Sequence, residues 1–175
     1  MCDGFFYKNT EVGIVGAGDT AAEEALYLSK LCTKVHMLVR RDEMRASKIM
    51  QDRVLKTKNI EVYWNTETDE ILGAEEVEGV RILNNKTGDK KEIPLAGFFV
   101  AIGHKPNSDV FKDFLDTDDV GYVLTKADSS QTNVEGVYAC GDLQDSVFRQ
   151  AVTAAGTGCM AALEAERFLA EKEII

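Results

Sequence analysis

A glycine-rich turn near the start of the chain is the first feature with a chemical consequence. Gly16, Gly18 and Ala21 form the pattern G-x-G-x-x-A, directly after the apolar run EVGIV and at the opening of an alanine-rich segment. In a strand-to-helix turn, the first glycine permits the tight bend and the second lets the backbone approach a pyrophosphate. The helix N-terminus then offers free N–H groups and a positive dipole to the phosphates. The pattern therefore predicts a dinucleotide site; the simpler alternative is that small residues only make a tight turn.

A pair of arginines stands where dinucleotide-binding units distinguish a ribose hydroxyl from a 2′-phosphate. Arg40 and Arg41 lie about 24 residues after the first glycine, and Arg45 follows one turn later. An NAD-dependent protein would place an acidic residue there, whereas guanidinium groups can form charge-assisted hydrogen bonds with a phosphate. The arginines predict a preference for NADPH. The alternative is a solvated basic patch beside Asp42 and Glu43.

The elements that must position these residues can be read from the hydrophobic pattern. EVGIV, the helical segment from Thr20 to Leu31 and KVHMLV form a strand-helix-strand unit, whose strands we expect to be parallel. A second helical pattern runs from Lys48 to Lys58. Short strands are then predicted at IEVYW, EVEGVRIL, EIPL and GFFVAI, separated by turn signals such as NNKTGD. Their alternation suggests a meander.

A change of architecture is predicted near Pro106, within the polar stretch GHKPNSD. Beyond it we expect a short helix at VFKDFL, strands at GYVLT and GVYAC, and a long helix from about Phe148 to Lys172. The sequence therefore predicts an α/β fold. A Rossmann-like nucleotide-binding domain, with a parallel sheet, helices and a β-meander, would cover residues 1–106, and a different unit would cover residues 107–175.

Composition narrows the functional classes. A net charge of −10 and a pI near 4.7 disfavour nucleic acid and anionic membrane surfaces as partners. The chain has no apolar run long enough for a spanning helix and no signal-peptide pattern at its start, so we expect a cytoplasmic protein. Its four cysteines show no paired spacing typical of a metal site, and none is predicted. Cys32, Cys140 and Cys159 are expected to be buried thiols.

Several segments together resemble low-molecular-weight, bacterial-type thioredoxin reductases. They occur in that family's usual order and cover nearly the whole chain: CDGFFYKN, VGAGDTAAEEALYLS, VRRDEMR, FVAIGHKPN, VYACGD and FRQAVTAAGTGCMAALEAERFL. The resemblance implies the cofactors NADPH and FAD, a redox dithiol, thioredoxin or a similar small redox protein as partner, and a homodimer when the protein is complete. Reductases acting on ferredoxin or in a peroxiredoxin system share part of this set, although Cys2-Asp3-Gly4 argues against the ferredoxin type. A non-catalytic NADPH-binding module is the alternative from another class.

The resemblance also implies roles for individual residues. Cys2 matches the second cysteine of the family's Cys-x-x-Cys-Asp-Gly redox centre, with Asp3 as its acid-base partner. The implied NADPH positions are Gly16, Ala17, Gly18, Asp19, Thr20, Ala21, Arg40, Arg41, Arg45, Ile102, Gly103 and His104. The implied FAD positions are Gly141, Asp142, Arg149, Gln150 and Ala151. From the residues alone, Asp142 reads more simply as a turn residue, Arg149 equally well as a solvent-facing side chain, and His104 as a loop histidine.

The same resemblance leads us to expect a truncated reductase. The first cysteine of the dithiol and the N-terminal half of the FAD-binding domain would lie upstream of Met1. Residues 107–175 would then supply only the C-terminal part of that domain. We expect the isolated chain to bind NADPH, to bind FAD weakly or not at all, and to be inactive as a reductase.

Overall fold

The computed structural model describes residues 2–173, without the side chain of Cys2, and shows two compact units. The first unit ends at Gly103 and the second begins at His104. The strands are β1 (Glu11–Val15), β2 (Lys34–Val39), β3 (Ile60–Trp64), β4 (Thr66–Leu72), β5 (Gly79–Asn84), β6 (Lys90–Pro94) and β7 (Gly97–Val100). The helices are α1 (Asp19–Leu28), α2 (Lys48–Lys56) and α3 (Ala151–Glu171), with short 3-10 helices at Cys2–Tyr7 and Gly141–Leu143.

A parallel sheet with the order β3-β2-β1-β7 forms the centre of the first unit. Val12 of β1 pairs with Val35 of β2 on one side and Gly97 of β7 on the other, which confirms the predicted parallel strands. The placement of IEVYW and GFFVAI in a meander was wrong, because these segments are the sheet's outer strands β3 and β7. The physical reason lies in the connection: α2 carries the chain back along the sheet, so β3 enters parallel to β2.

A smaller antiparallel sheet with the order β4-β5-β6 supplies the meander. The strands predicted at EVEGVRIL and EIPL are found as β5 and β6. The first strand, β4, has the mostly polar sequence TETDEIL and was not predicted. Within residues 2–173 it pairs with β5 alone, and a register shift between Thr68 and Glu70 interrupts the pairing. An edge strand with largely solvated side chains carries little hydrophobic signal, which explains the omission.

Strand β2 is buried on both faces, and this sets the layers of the first unit. Val35, Met37 and Val39 belong to a core cluster that also contains apolar residues of α1 and α2. Leu38 belongs instead to a cluster with Val80 and other residues of the antiparallel sheet. Helices, parallel sheet and antiparallel sheet therefore form three layers. A strand covered on both sides needs a continuous apolar run, as KVHMLV provides.

The second unit has little regular structure besides α3. The predicted long helix is confirmed, although none of its described residues is buried. The helix predicted at VFKDFL is a turn, and the strands predicted at GYVLT and GVYAC are only isolated bridges, Thr117 with Val123 and Gln131 with Tyr138. The apolar cluster here is small, and its buried members are Leu115, Val123 and Ala139. Single pairings of this kind lack the neighbouring strands that make a stable sheet.

Candidate functional site

The turn between β1 and α1 needs glycine at its first position. Gly16 has φ +149°, and its N–H donates to the carbonyl of Leu38 at 3.2 Å. A Cβ added to Gly16 would collide with the carbonyl oxygen of Ala101 and would lie 2.8 Å from the Cβ of Ala21. The backbone conformation and the close approach of β7 therefore both exclude a larger residue.

The second glycine leaves open space in front of α1. Gly18 is the N-cap residue, and a Cβ built there would meet no atom within 4 Å. The first helical hydrogen bond runs from the N–H of Ala22 to the carbonyl of Gly18 at 3.0 Å, so the N–H groups of Asp19, Thr20 and Ala21 precede the helical ladder. These donors and the open space fit a phosphate group approaching the helix end.

The loop that follows β2, residues 40–47, is called the arginine loop and is hydrogen-bonded to this turn. The backbone N–H groups of Arg45 and Ala46 donate to the carbonyl of Ala17 at 2.7 and 2.9 Å. The N–H of Ser47, the N-cap of α2, donates to Oδ1 of Asp19 at 2.9 Å. Asp19, predicted as a cofactor-binding residue, therefore engages the arginine loop through its carboxylate.

The turn and the arginine loop enclose one cavity of about 310 Å³. Arg40, Arg41 and Arg45 all contribute to its wall and are exposed. In the part of the chain that the structure describes, none of the three forms an ion pair, so their guanidinium groups are available to an anion. The full lining is Val15, Gly16, Ala17, Leu38, Arg40, Arg41, Glu43, Arg45 and Ile102. The structure thus brings together the glycine turn and the arginine pair that the sequence singled out.

The backbone of the arginine loop also has partners in the turn between β5 and β6 and in the turn between β3 and β4, which the sequence did not indicate. Nδ2 of Asn85 donates to the carbonyl of Arg40 at 2.8 Å. The N–H of Asn65 donates to the carbonyl of Arg41 at 3.0 Å. Asn85 lies 45 residues from Arg40, and its segment NNKTGD signals only a turn. No local pattern could have revealed the contact.

The predicted redox segment packs on α1 through a glycine. The side chain of Cys2 lies outside the described residues, so its assignment stays a prediction. Asp3 is exposed in the 3-10 helix Cys2–Tyr7. A Cβ on Gly4 would lie 2.9 Å from Cε1 of Tyr27 and 3.0 Å from Cδ2 of Leu28. The Cys-Asp-Gly segment therefore approaches α1 so closely that only glycine fits without rearrangement.

In the second unit, hydrogen bonds join the segment around Gly141 to α3. Gly141 has φ +66°, and its N–H donates to Oγ1 of Thr157 at 2.9 Å. The N–H of Asp145 donates back to the carbonyl of Gly141 at 2.9 Å. Asp142, which lies between them, is exposed. The turn interpretation and the predicted sugar-binding role agree equally with this position.

Arg149 and its neighbours form the entry to α3. Arg149 has φ +49°; its N–H donates to Oδ2 of Asp145 at 2.9 Å, and its Nη1 donates to the hydroxyl of Tyr122 at 3.3 Å. Gln150 is the N-cap and Ala151 the first residue of the helix. The structure therefore brings together the five predicted flavin positions through Asp145 and α3.

The carboxylate of Asp145 accepts several hydrogen bonds from the residues at the entry to α3. Burial by itself raises the pKa of its carboxyl group, but hydrogen bonds from the backbone N–H groups of Phe148, Arg149 and Val147 and from the Thr153 hydroxyl outweigh that effect. The pKa is therefore lower than usual, and the ionised form is favoured.

The remaining predicted nucleotide positions are divided between the two units. Ile102 is exposed and lines the cavity, and Gly103, with φ +108°, ends the first unit. The His104 ring stacks on the Tyr122 ring in the second unit, with centroids 6.0 Å apart and an interplanar angle of 29°. The predicted role of His104 at the nucleotide stays a prediction.

The thiols differ from expectation. Cys32 is buried, its Sγ lies 3.4 Å from the carbonyl oxygen of Tyr7, and burial raises its pKa. Cys140 is half-buried and Cys159 is exposed on α3. The expectation of burial was therefore wrong for Cys159 and only partly right for Cys140. Small neighbours indicate burial only when another element covers that face of the helix, and none of the described residues of α3 is buried.

Residues 2–173 contain neither a membrane-spanning helix nor a metal-binding cluster. No helix there combines the length and apolar character needed to cross a bilayer. No group of three or more His, Cys, Asp or Glu side chains there is arranged to hold a metal ion.

Comparison with known proteins agrees with this architecture. Residues 1–158 match the pyridine nucleotide-disulphide oxidoreductase family. The chain is 52% identical over 171 residues to a thioredoxin reductase of Rickettsia conorii, covering 96% of this chain and 55% of that protein. It is 48% identical over 176 residues to a thioredoxin reductase of Debaryomyces hansenii, covering 99% and 55%. The chain thus spans about half the length of the curated relatives it matches.

Solved structures give the same result. A thioredoxin reductase from Giardia duodenalis superposes with a TM-score of 0.81 at 43% identity, covering 96% of this chain and 55% of that chain. One from Streptococcus pyogenes superposes with a TM-score of 0.87 at 35% identity, covering 97% and 55%. On these matches, and on the turn and sheet described above, the chain belongs to the pyridine nucleotide-disulphide oxidoreductase family.

Proposed function

We propose that this chain is the NADPH-binding part of a thioredoxin-disulfide reductase, followed by the C-terminal part of its FAD-binding domain. The proposal assigns residues 1–106 to the first part and residues 107–175 to the second. The observation that carries it is the single cavity in which the glycine turn before α1 meets three arginines without ion-pair partners among the described residues. The names of the relatives support the reaction and the acceptor.

The cavity suggests how the chain would hold NADPH. The pyrophosphate would occupy the space beside Gly18 and receive the N–H groups at the start of α1. Arg40, Arg41 and Arg45 would bind the 2′-phosphate, because their charges offset it and their planar donors match its oxygens. Ile102 would contact an apolar part of the nucleotide. These side chains bind and orient, and supply no proton or electron themselves.

The remaining site residues are proposed for the second half of the reaction. Gly141, Asp142, Arg149, Gln150 and Ala151 would contact FAD, since the exposed carboxylate of Asp142 suits sugar hydroxyls. Cys2 would be one cysteine of the redox dithiol and Asp3 its acid-base partner. Bound together, NADPH and FAD would supply the electron pair that reduces the disulfide of thioredoxin. The complete enzyme is proposed to be a homodimer in the cytoplasm. A reducing compartment of that kind suits the unpaired thiols among the described cysteines.

The first test is the binding of reduced nucleotides to the purified chain. Isothermal titration should give a dissociation constant for NADPH at least about ten-fold lower than that for NADH, because one charge-assisted bond to the 2′-phosphate supplies that difference. Equal affinities would contradict the assignment of the arginines. No binding of either nucleotide would contradict the proposed function as a whole.

The visible absorption spectrum tests the flavin part. A chain without flavin bands that still binds NADPH would agree with the proposal that the two cofactors are held by different units. Flavin bands that bleach when NADPH is added anaerobically would show a working flavin site in this chain. That result would overturn our expectation of weak or absent FAD binding.

A further inference from the structure

We propose that Asn85, in the turn between β5 and β6, is a positioning residue that sets the selectivity for the 2′-phosphate. This inference rests on the proposed function, because it concerns how the arginine loop is held rather than what it binds. Asn85 is placed outside the cavity wall, and its side chain reaches the backbone of Arg40. It would act on the nucleotide only through that arginine.

The arginine loop is held from two sides. On one side, the glycine turn accepts the N–H groups of the loop through Ala17 and Asp19. On the other side, Asn85 and Asn65 donate to the carbonyls of Arg40 and Arg41 at 2.8 and 3.0 Å. The consecutive carbonyls of the two arginines are therefore held by two turns, one between β5 and β6 and one between β3 and β4, and this restraint is independent of the glycine turn.

The side chain at position 85 is suited to this task because an amide offers two donor hydrogens. Nδ2 donates to the carbonyl of Arg40 and also to Oε1 of Glu67, at 3.1 Å. The backbone N–H of Asn85 donates to the carbonyl of Asn65 at 2.8 Å. Asn65 itself has φ +52°, a left-handed conformation that asparagine tolerates better than most residues. Asn65 and Asn85, called the asparagine pair below, are thus hydrogen-bonded to each other and to the arginine loop.

The asparagine pair affects selectivity for the 2′-phosphate in two ways: it places the backbone of Arg40, and it keeps the carboxylate of Glu67 hydrogen-bonded. An arginine side chain is long and flexible, and bidentate bonds to a phosphate form readily only if its backbone is already placed. Asn85 also gives the carboxylate of Glu67 a hydrogen-bond donor on the hairpin. Removal of the amide would loosen Arg40 and leave Glu67 without this donor close to the loop. Both effects act at the 2′-phosphate and leave the pyrophosphate contacts of the turn unchanged.

The test compares three variants of the full chain by titration with NADPH and with NADH. Asn85→Ala should raise the dissociation constant for NADPH about 3- to 10-fold and leave that for NADH within about two-fold. Asn85→Asp, which keeps the size but loses the donor, should have an equal or larger effect. Asn84→Ala is the matched control: its Oδ1 accepts the N–H groups of Lys86 and Thr87 in the same turn, so it should lower the melting temperature without changing the NADPH-to-NADH ratio.

The outcomes separate this inference from the proposed function. If the unchanged chain prefers NADPH and Asn85→Ala keeps that preference, the positioning role is wrong and the proposed function stands. Equal weakening of both nucleotides, or the same loss of preference in Asn84→Ala, would also overturn the inference, since either shows a general structural effect. If the unchanged chain shows no preference for NADPH, both proposals fail.

Discussion

The carboxylate of Asp19 accepts a hydrogen bond from the backbone N–H of Ser47 at 2.9 Å, and this bond connects the first residue of α1 to the N-cap of α2. Together with the carbonyl of Ala17, which accepts two further N–H groups, it ties the glycine turn to the arginine loop. The surfaces proposed for the pyrophosphate and the 2′-phosphate therefore belong to one hydrogen-bonded piece of backbone. Changes on either surface are expected to act through that connection and through the packing around it.

Replacing Arg40 and Arg41 together by alanine should weaken NADPH binding at least about ten-fold, because each charge-assisted bond contributes roughly 1.5 to 3 kcal/mol. NADH lacks the 2′-phosphate, so its affinity should change less than about two-fold. Titration calorimetry measures both. The double variant Arg53→Ala, Lys56→Ala removes the same charge from α2, outside the cavity lining, and is the matched control. An equal loss of affinity for both nucleotides would show that Arg40 and Arg41 do not bind the 2′-phosphate.

The two glycines of the turn should respond differently to alanine. Gly16→Ala should lower the free energy of unfolding by at least about 2 kcal/mol, because φ +149° and the carbonyl of Ala101 leave no place for a methyl group. Gly18→Ala should cost less than about 1 kcal/mol, since its φ of −88° suits alanine and the space around it is open. Its methyl group would fill the proposed pyrophosphate site, so NADPH binding should fall more than about ten-fold. A Gly18→Ala chain that binds NADPH normally would refute the proposed position of the pyrophosphate.

A pH dependence is expected from the ion pair between Glu61 and Lys34, whose charged atoms lie 2.5 Å apart. The hydrogen bond from Lys34 is the main cause of a lowered pKa at Glu61. A lowered pKa adds stability above the usual glutamate value, about 4.3, and that stability is lost as the pH falls through the folded-state pKa. Both side chains are partly exposed, so Glu61→Gln should cost less than about 1 kcal/mol at pH 7.

Urea unfolding followed by circular dichroism at pH 7 and at lower pH checks this expectation. The difference between Glu61→Gln and the unchanged chain should shrink as the solution becomes more acidic. Glu23→Gln, at an exposed position of α1, is the control and should show no such trend. A difference that grows toward low pH would contradict a lowered pKa at Glu61.

Thiol labelling should distinguish the three described cysteines in a Cys2→Ser background. Cys159 is exposed and should react first, and the half-buried Cys140 should react more slowly. Cys32 is buried with a raised pKa, so it should react more than about 100-fold more slowly than Cys159 unless the chain is unfolded. Mass spectrometry of labelled peptides gives the order. Rapid labelling of Cys32 in the folded chain would show that its site is open.

Local sequence patterns predicted the elements that carry the turn, because β1 and β2 are short apolar runs, α1 has a helical period, and the glycines mark the junction of β1 with α1. They also identified Arg40 and Arg41 from their distance along the chain. Which strands pair with each other was harder to predict. The hydrophobic pattern of a strand does not reveal its neighbour in the sheet, so β3 and β7 were assigned to the wrong sheet. The contact of Asn85 with Arg40 was beyond local reasoning, since it depends on how the antiparallel sheet packs in the first unit.

The bond between Asn65 and the carbonyl of Arg41 has a practical consequence for spectroscopy. The residue before Asn65 is Trp64, the only tryptophan of the chain, at the end of β3. Its indole emission should therefore be sensitive to any displacement of the neighbouring arginine loop. The protein therefore carries an intrinsic optical probe next to Asn65, whose N–H is bonded to the arginine loop, and we expect stopped-flow fluorescence to follow the rate of nucleotide association without an added label.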